Sequence, residues 1–119
     1  MIKILHSADW HLDSPLLRHD TQQAQQLRQS LLRIPMLLAE ACQKEQCDLV
    51  LLSGDLFDGA YAADTLAVVK KALAAMEAPV FISPGNHDYV GEESPWLRET
   101  WPDNVHIFTH PALISVLAA

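Results

Sequence analysis

The stretch Leu49-Val50-Leu51-Leu52-Ser53-Gly54-Asp55-Leu56-Phe57-Asp58 decides the fold. The run from Leu49 to Ser53, bounded by Asp48 and Gly54, suits a strand buried on both faces, as in a parallel sheet. Gly54 allows a close turn at the strand end. Asp55 follows at once, and its two oxygens suit it to bridging two metal ions. Asp58 is placed to accept loop hydrogen bonds or to hold a ligand. In isolation the same residues also read as an ordinary Gly-Asp turn.

Working outward, the pattern repeats. Ile2 to Ala8 reads as a first strand and ends at Asp9-Trp10-His11. Val80 to Ser83, opened by Pro79, reads as a third strand and ends at Gly85-Asn86-His87-Asp88. Helices are expected between them. Thr21 is a plausible N-cap for Gln22 to Gln46, with Leu27, Leu31, Leu32, Ile34, Leu38 and Ala41 as the apolar stripe. Pro35 removes a backbone hydrogen bond there, which predicts a kink or two abutting helices. Asp64 is read as the cap of a helix from Thr65 to Met76, with Val68, Val69, Leu73 and Met76 inward. A short helix around Trp96 to Thr100, a fourth strand from Val105 to Phe108 and a fifth from Leu113 to Leu117 complete the reading. Strands alternating with helices imply βαβ units, a largely parallel sheet and right-handed crossovers. All three polar motifs then lie at the carboxyl ends of strands, where such sheets gather ligands.

The chemistry at that rim is oxygen and nitrogen donation. Asp9 and His11, two apart in extended chain, share a face and can offer one metal an oxygen and a nitrogen. A surface turn begun by Asp9 is the plain alternative. Asp13 and Ser14 read as loop-shaping. Asn86 offers a neutral oxygen. His87 is a candidate ligand or general acid for a leaving alkoxide, with Asp88 to orient it, and Pro84 and Gly85 sharpen the turn.

With 119 residues, the chain is one domain long. Its formal net charge is −7, from 15 acidic and 8 basic residues. That balance argues against broad binding to a phosphate backbone, which needs clustered Lys and Arg. It does not exclude a phosphate at a metal centre, because a bound dication reverses the local sign. Cys42 and Cys47 are not a CxxC pair and read as reduced thiols. Neither a signal-peptide pattern nor a long uncharged apolar stretch occurs, so a cytoplasmic protein without a membrane span is expected.

Taken together, the motifs resemble the calcineurin-like metallophosphoesterase superfamily, which carries DxH, GDxxD and GNHD/E in this order after successive strands. The match covers almost the whole chain. Within the superfamily, Ile4 to Leu16, Gly54 to Asp58, and Asp88 where many relatives have Glu, look like the SbcD-type DNA repair exonucleases. The resemblance implies an α/β fold: residues 1–119 would be the N-terminal part of one metallophosphoesterase αββα sandwich, with a largely parallel sheet flanked by helices. It also implies roles. Asp9 and His11 would bind a first metal, Asp55 would bridge two, and Asn86 would bind the second. His87 would face the scissile phosphate, with Asp88 as its partner. A metal-activated water would attack phosphorus, and two metals would stabilise the attacking and leaving oxygens. Mn²⁺ is the expected ion, and Fe or Zn²⁺ suits the same donors. DNA would be the substrate and an SMC-like ATPase the partner.

The family's later motifs, a His after a further strand and then GH and HxH segments, are missing. The second metal therefore keeps only Asp55 and Asn86. His106 and His110 lie outside the expected context and read as strand or turn histidines; His6 and His19 read as structural. One apolar sheet face would lack its covering layer, which favours self-association. Two functions follow as expectations: the N-terminal piece of a metal-dependent DNA exonuclease or phosphodiesterase, or a noncatalytic interaction or assembly module that keeps the fold around an incomplete metal centre. A response-regulator-like domain explains acidic strand ends but neither His11 nor Asn86-His87-Asp88.

Overall fold

The computed structural model describes residues 1–13, 21–57, 61–85 and 94–109. Four strands, β1 (Ile4–Ser7), β2 (Leu49–Leu52), β3 (Val80–Ile82) and β4 (Val105–Ile107), form one sheet in the order β1-β2-β3-β4. Every neighbouring pair is parallel. Four helices accompany them: α1 (Gln22–Leu32), α2 (Ile34–Glu45), α3 (Ala63–Ala75) and α4 (Pro95–Arg98). The expected α/β architecture, a parallel sheet flanked by helices, is present. The proposed fifth strand, Leu113 to Leu117, lies outside the described residues.

Register separates the two faces. Leu5, Val50, Val80 and Val105 align across the sheet, as do Ser7, Leu52, Ile82 and Ile107. Val50, Leu52, Val80 and Ile82 are buried in one core with Ala39 and Cys42 of α2, Val69, Ala72 and Leu73 of α3, and Trp96 of α4. The intervening row, His6, Leu51, Phe81 and His106, points the other way. There Leu51 is 37% exposed and Ile4 53% exposed. The expectation that Leu49 to Ser53 is buried on both faces is therefore wrong for this chain. The cause is topological: each crossover steps to the next strand in one direction, and right-handed crossovers then put every connection on the same face. On the other face Phe81, His106 and Phe108 pack against one another, and Leu51 and Ile4 are exposed.

Local chemistry explains the element boundaries. The Thr21 hydroxyl accepts the Ala24 N–H at 3.1 Å and starts α1. The helix breaks at Arg33, and Pro35 sits in the first turn of α2, where its missing N–H goes unmissed. The expected pair of abutting helices is what forms. Leu27, placed in the apolar stripe, is 51% exposed instead. α1 buries Ala24, and α2 buries Pro35, Ala39 and Cys42. Asp64 does not cap α3 either; it lies in the first turn, and Ala62 is the N-cap residue without a side-chain bond of its own. No helix among the described residues is long and apolar enough to cross a membrane.

Truncation on the two faces should have unequal cost. Leu52→Ala empties a core position and is expected to lose about 2–5 kcal/mol in urea unfolding, with Leu51→Ala losing less than half as much.

Candidate functional site

The rim at the carboxyl ends of β1, β2 and β3 is held together by backbone. Pairing of β1 with β2 runs on past the strands. The Ser53 N–H donates to Ser7 O and the Asp9 N–H to Gly54 O, each at 3.0 Å. His11 N–H then donates to Asp55 O at 3.0 Å and Leu12 N–H to Leu56 O at 2.9 Å. The first two motifs thus lie side by side as one zipped pair of corners. Leu12 and Phe57 close it as a parallel bridge, and both are buried.

This zipper requires an unusual backbone. Asp9, His11 and Asp13 have φ of 59°, 50° and 59°, and Gly54 and Asp55 have φ of 83° and 53°. Left-handed residues outside glycine are uncommon, but Asp and His are enriched among them. The extended geometry expected for Asp9 to His11 is not found. Burial still alternates: Trp10 and Leu12 are 2% and 1% exposed, anchored in the core, while Asp9 is exposed and His11 and Asp13 are half-buried. The Trp10 indole N–H donates to Ser7 Oγ at 2.9 Å and fixes the turn at its start.

The third corner arrives at Gly85. A Cβ on Gly54 would stand 2.5 Å from Gly85 N, and a Cβ on Gly85 would stand 2.5 Å from Asp55 Oδ1. Two bare Cα positions therefore let the second and third corners touch, and one of them makes room for the Asp55 carboxylate. Asn86, His87, Asp88 and Asp58 lie outside the described residues, as do Ser14, His19 and His110. Carboxylate oxygen from Asp9 and Asp55 and imidazole nitrogen from His11 suit a divalent cation by chemistry. Their side chains do not close a site by themselves: among the described residues, no group of three or more His, Cys, Asp or Glu is gathered to hold a metal.

Asp13 has a different task, which the sequence hinted at only as loop-shaping. Its side chain is 10% exposed. Oδ2 accepts the Ala62 N–H at 2.6 Å, and Oδ1 accepts the Thr65 hydroxyl at 3.0 Å. The Arg28 guanidinium reaches Asp13 Oδ1 at 3.4 Å and Thr65 Oγ1 at 3.2 Å, with Asp64 beside it at 3.5 Å. Asp13 thus supplies from another loop the cap that α3 lacks. Thr65, wholly buried in an otherwise apolar turn, was the overlooked signal. His6 bonds Ser53 Oγ at 2.7 Å on the open face, in the structural part expected of it. His106 is half-buried on β4, beside Phe81 and Phe108.

Comparison with known proteins agrees with this architecture. Residues 2–118 match the calcineurin-like phosphoesterase family. The chain is also similar to an uncharacterized metallophosphoesterase, YhaO, of Bacillus subtilis (strain 168), with 33% identity over 115 residues. The alignment takes in 91% of this chain and 28% of that protein, so the chain spans less than a third of that relative's length.

Two substitutions test the rim. Asp13→Ala strands the Ala62 N–H and the Thr65 hydroxyl and is expected to cost about 2–3 kcal/mol, with faster amide exchange at Ala62 and His11. Gly85→Ala pushes a methyl group against Asp55 and is expected to cost about 1–3 kcal/mol by thermal unfolding.

Proposed function

Since the chain belongs to the calcineurin-like phosphoesterase family, we propose that on its own it is a noncatalytic assembly module of a phosphoesterase domain. It keeps the first sheet and the zipped corners, and turnover waits on a covering layer. The open sheet face carries this reading. His6, Leu51, Phe81 and His106 form a row across all four strands with Ile4 beside it, and among the described residues no layer lies over them. An apolar face of this kind favours docking or self-association.

A second reading, favoured by the zipped corners, is hydrolysis of phosphodiesters. Asp9, His11 and Asp55 would hold divalent ions with Asn86, Mn²⁺ foremost, and His87 with Asp88 would attend the scissile phosphate. A bound metal would supply an activated water and charge stabilisation. This chain's part is to fix the donor backbone: the hydrogen bonds from Asp9 to Gly54 and from His11 to Asp55 hold two corners in register before any ion arrives. The motif sequence Ile4 to Leu16 favours DNA as substrate, in the manner of SbcD-type repair exonucleases, with an SMC-like ATPase as the corresponding partner.

Sedimentation and a turnover assay separate the readings. The module reading expects self-association that Leu51→Lys abolishes, and no Mn²⁺-dependent cleavage of an aryl phosphodiester or of DNA. Cleavage by the wild-type chain that disappears in Asp55→Asn would replace it with the hydrolase reading.

A further inference from the structure

The C-terminus of α2 is a Schellman motif. The Cys47 N–H donates to Cys42 O at 3.1 Å and the Gln46 N–H to Gln43 O at 3.2 Å, with Gln46 left-handed at φ 53°. Such an ending folds its last residue back over its first and commonly sets those two side chains in apolar contact. Here both are cysteines. Both thiols are free; Cys42 is 2% exposed and Cys47 half-buried. Standard backbone dimensions and the 3.1 Å bond hold the two Cα atoms within about 7 Å of each other. A disulfide needs about 4.4–6.8 Å.

We propose that Cys42 and Cys47 form a thiol–disulfide exchange site for a low-molecular-weight disulfide of the glutathione type. Cys47, the more exposed, attacks first. Its thiolate forms a bond to one sulfur of glutathione disulfide, whose S–S bond breaks and releases one glutathione thiolate. Burial pushes the Cys42 thiol up, so it stays protonated and waits. Once deprotonated, it attacks Cys47 Sγ, closes the Cys42–Cys47 bond and expels the second glutathione. Two protein thiols are oxidised to one disulfide, and one glutathione disulfide is reduced to two thiols.

The surroundings tolerate that product. In the reduced chain the Cys42 thiol donates weakly to Met76 O at 3.7 Å. Oxidation removes this donor, but the same carbonyl still accepts from Gln43 Nε2 at 3.0 Å. The α2–α3 contact therefore keeps its stronger bond. The pair precedes β2, at the end of the sheet opposite the motif corners, so its chemistry is independent of any metal there.

The test treats the native chain with glutathione disulfide and reads intact mass and peptide maps, with circular dichroism as the check on folding. The wild-type chain is expected to lose two hydrogens, keep no glutathione and recover both thiols with a reductant. Cys42→Ser should stop with glutathione on Cys47, and Cys47→Ser should keep a free Cys42. A wild-type chain that stays unreacted, retains glutathione or forms a covalent dimer overturns the proposal, whether or not the buried Cys42→Ser variant folds. Glutathione on Cys42 in Cys47→Ser overturns the order of attack.

Discussion

The backbone hydrogen bonds that continue beyond the ends of β1 and β2 are the constraint on which the rim depends. Strand pairing usually stops where side chains turn polar. Here it runs on through Asp9, His11 and Leu12 against Gly54, Asp55 and Leu56. It does so because the chain adopts left-handed φ at alternate residues while Trp10 and Leu12 stay in the core. Each left-handed position outside glycine costs on the order of 1–3 kcal/mol. Three such residues in one corner and an Asp in the next persist only because buried anchors and paired amides over-determine them. The gain is geometric: backbone pairing holds the two corners in register.

One-directional strand order has the opposite effect on the rest of the sheet. It gathers α2, α3 and α4 into a single core with Val50, Leu52, Val80 and Ile82. The same order leaves Leu51 and Ile4 exposed on the other face. A chain can therefore be well packed through half its thickness and unfinished through the other half.

The fold was legible in the sequence because strand runs and polar strand ends coincide three times over. Pro35 gave the helix break, and Thr21 its cap. What escaped was long-range. Leu27 follows the helical period yet is exposed, and a one-dimensional stripe does not report which part of a face another segment covers. Asp64 has the look of a cap, yet Asp13, 49 residues away from the Ala62 amide it binds, takes the part. The both-faces burial of Leu49 to Ser53 failed because a short apolar run does not report strand order. Of the site, residue types and their common rim could be read; the left-handed corners and the Gly54–Gly85 contact could not, since both belong to the meeting of distant segments.

One loop carries two kinds of carboxylate, and the difference between them shows how the rim is built. Asp13 is turned inward, with an amide, a hydroxyl and a guanidinium around it. A carboxylate held by that many donors is fixed in place and works as a structural pin. Asp9, four residues earlier, is exposed. Arg28 reaches Asp13 and Asp64, and through that pairing offsets charge at the base of an acidic rim without crossing to Asp9. Arg28 is thus engaged on the structural side of the loop, and Asp9 stays exposed.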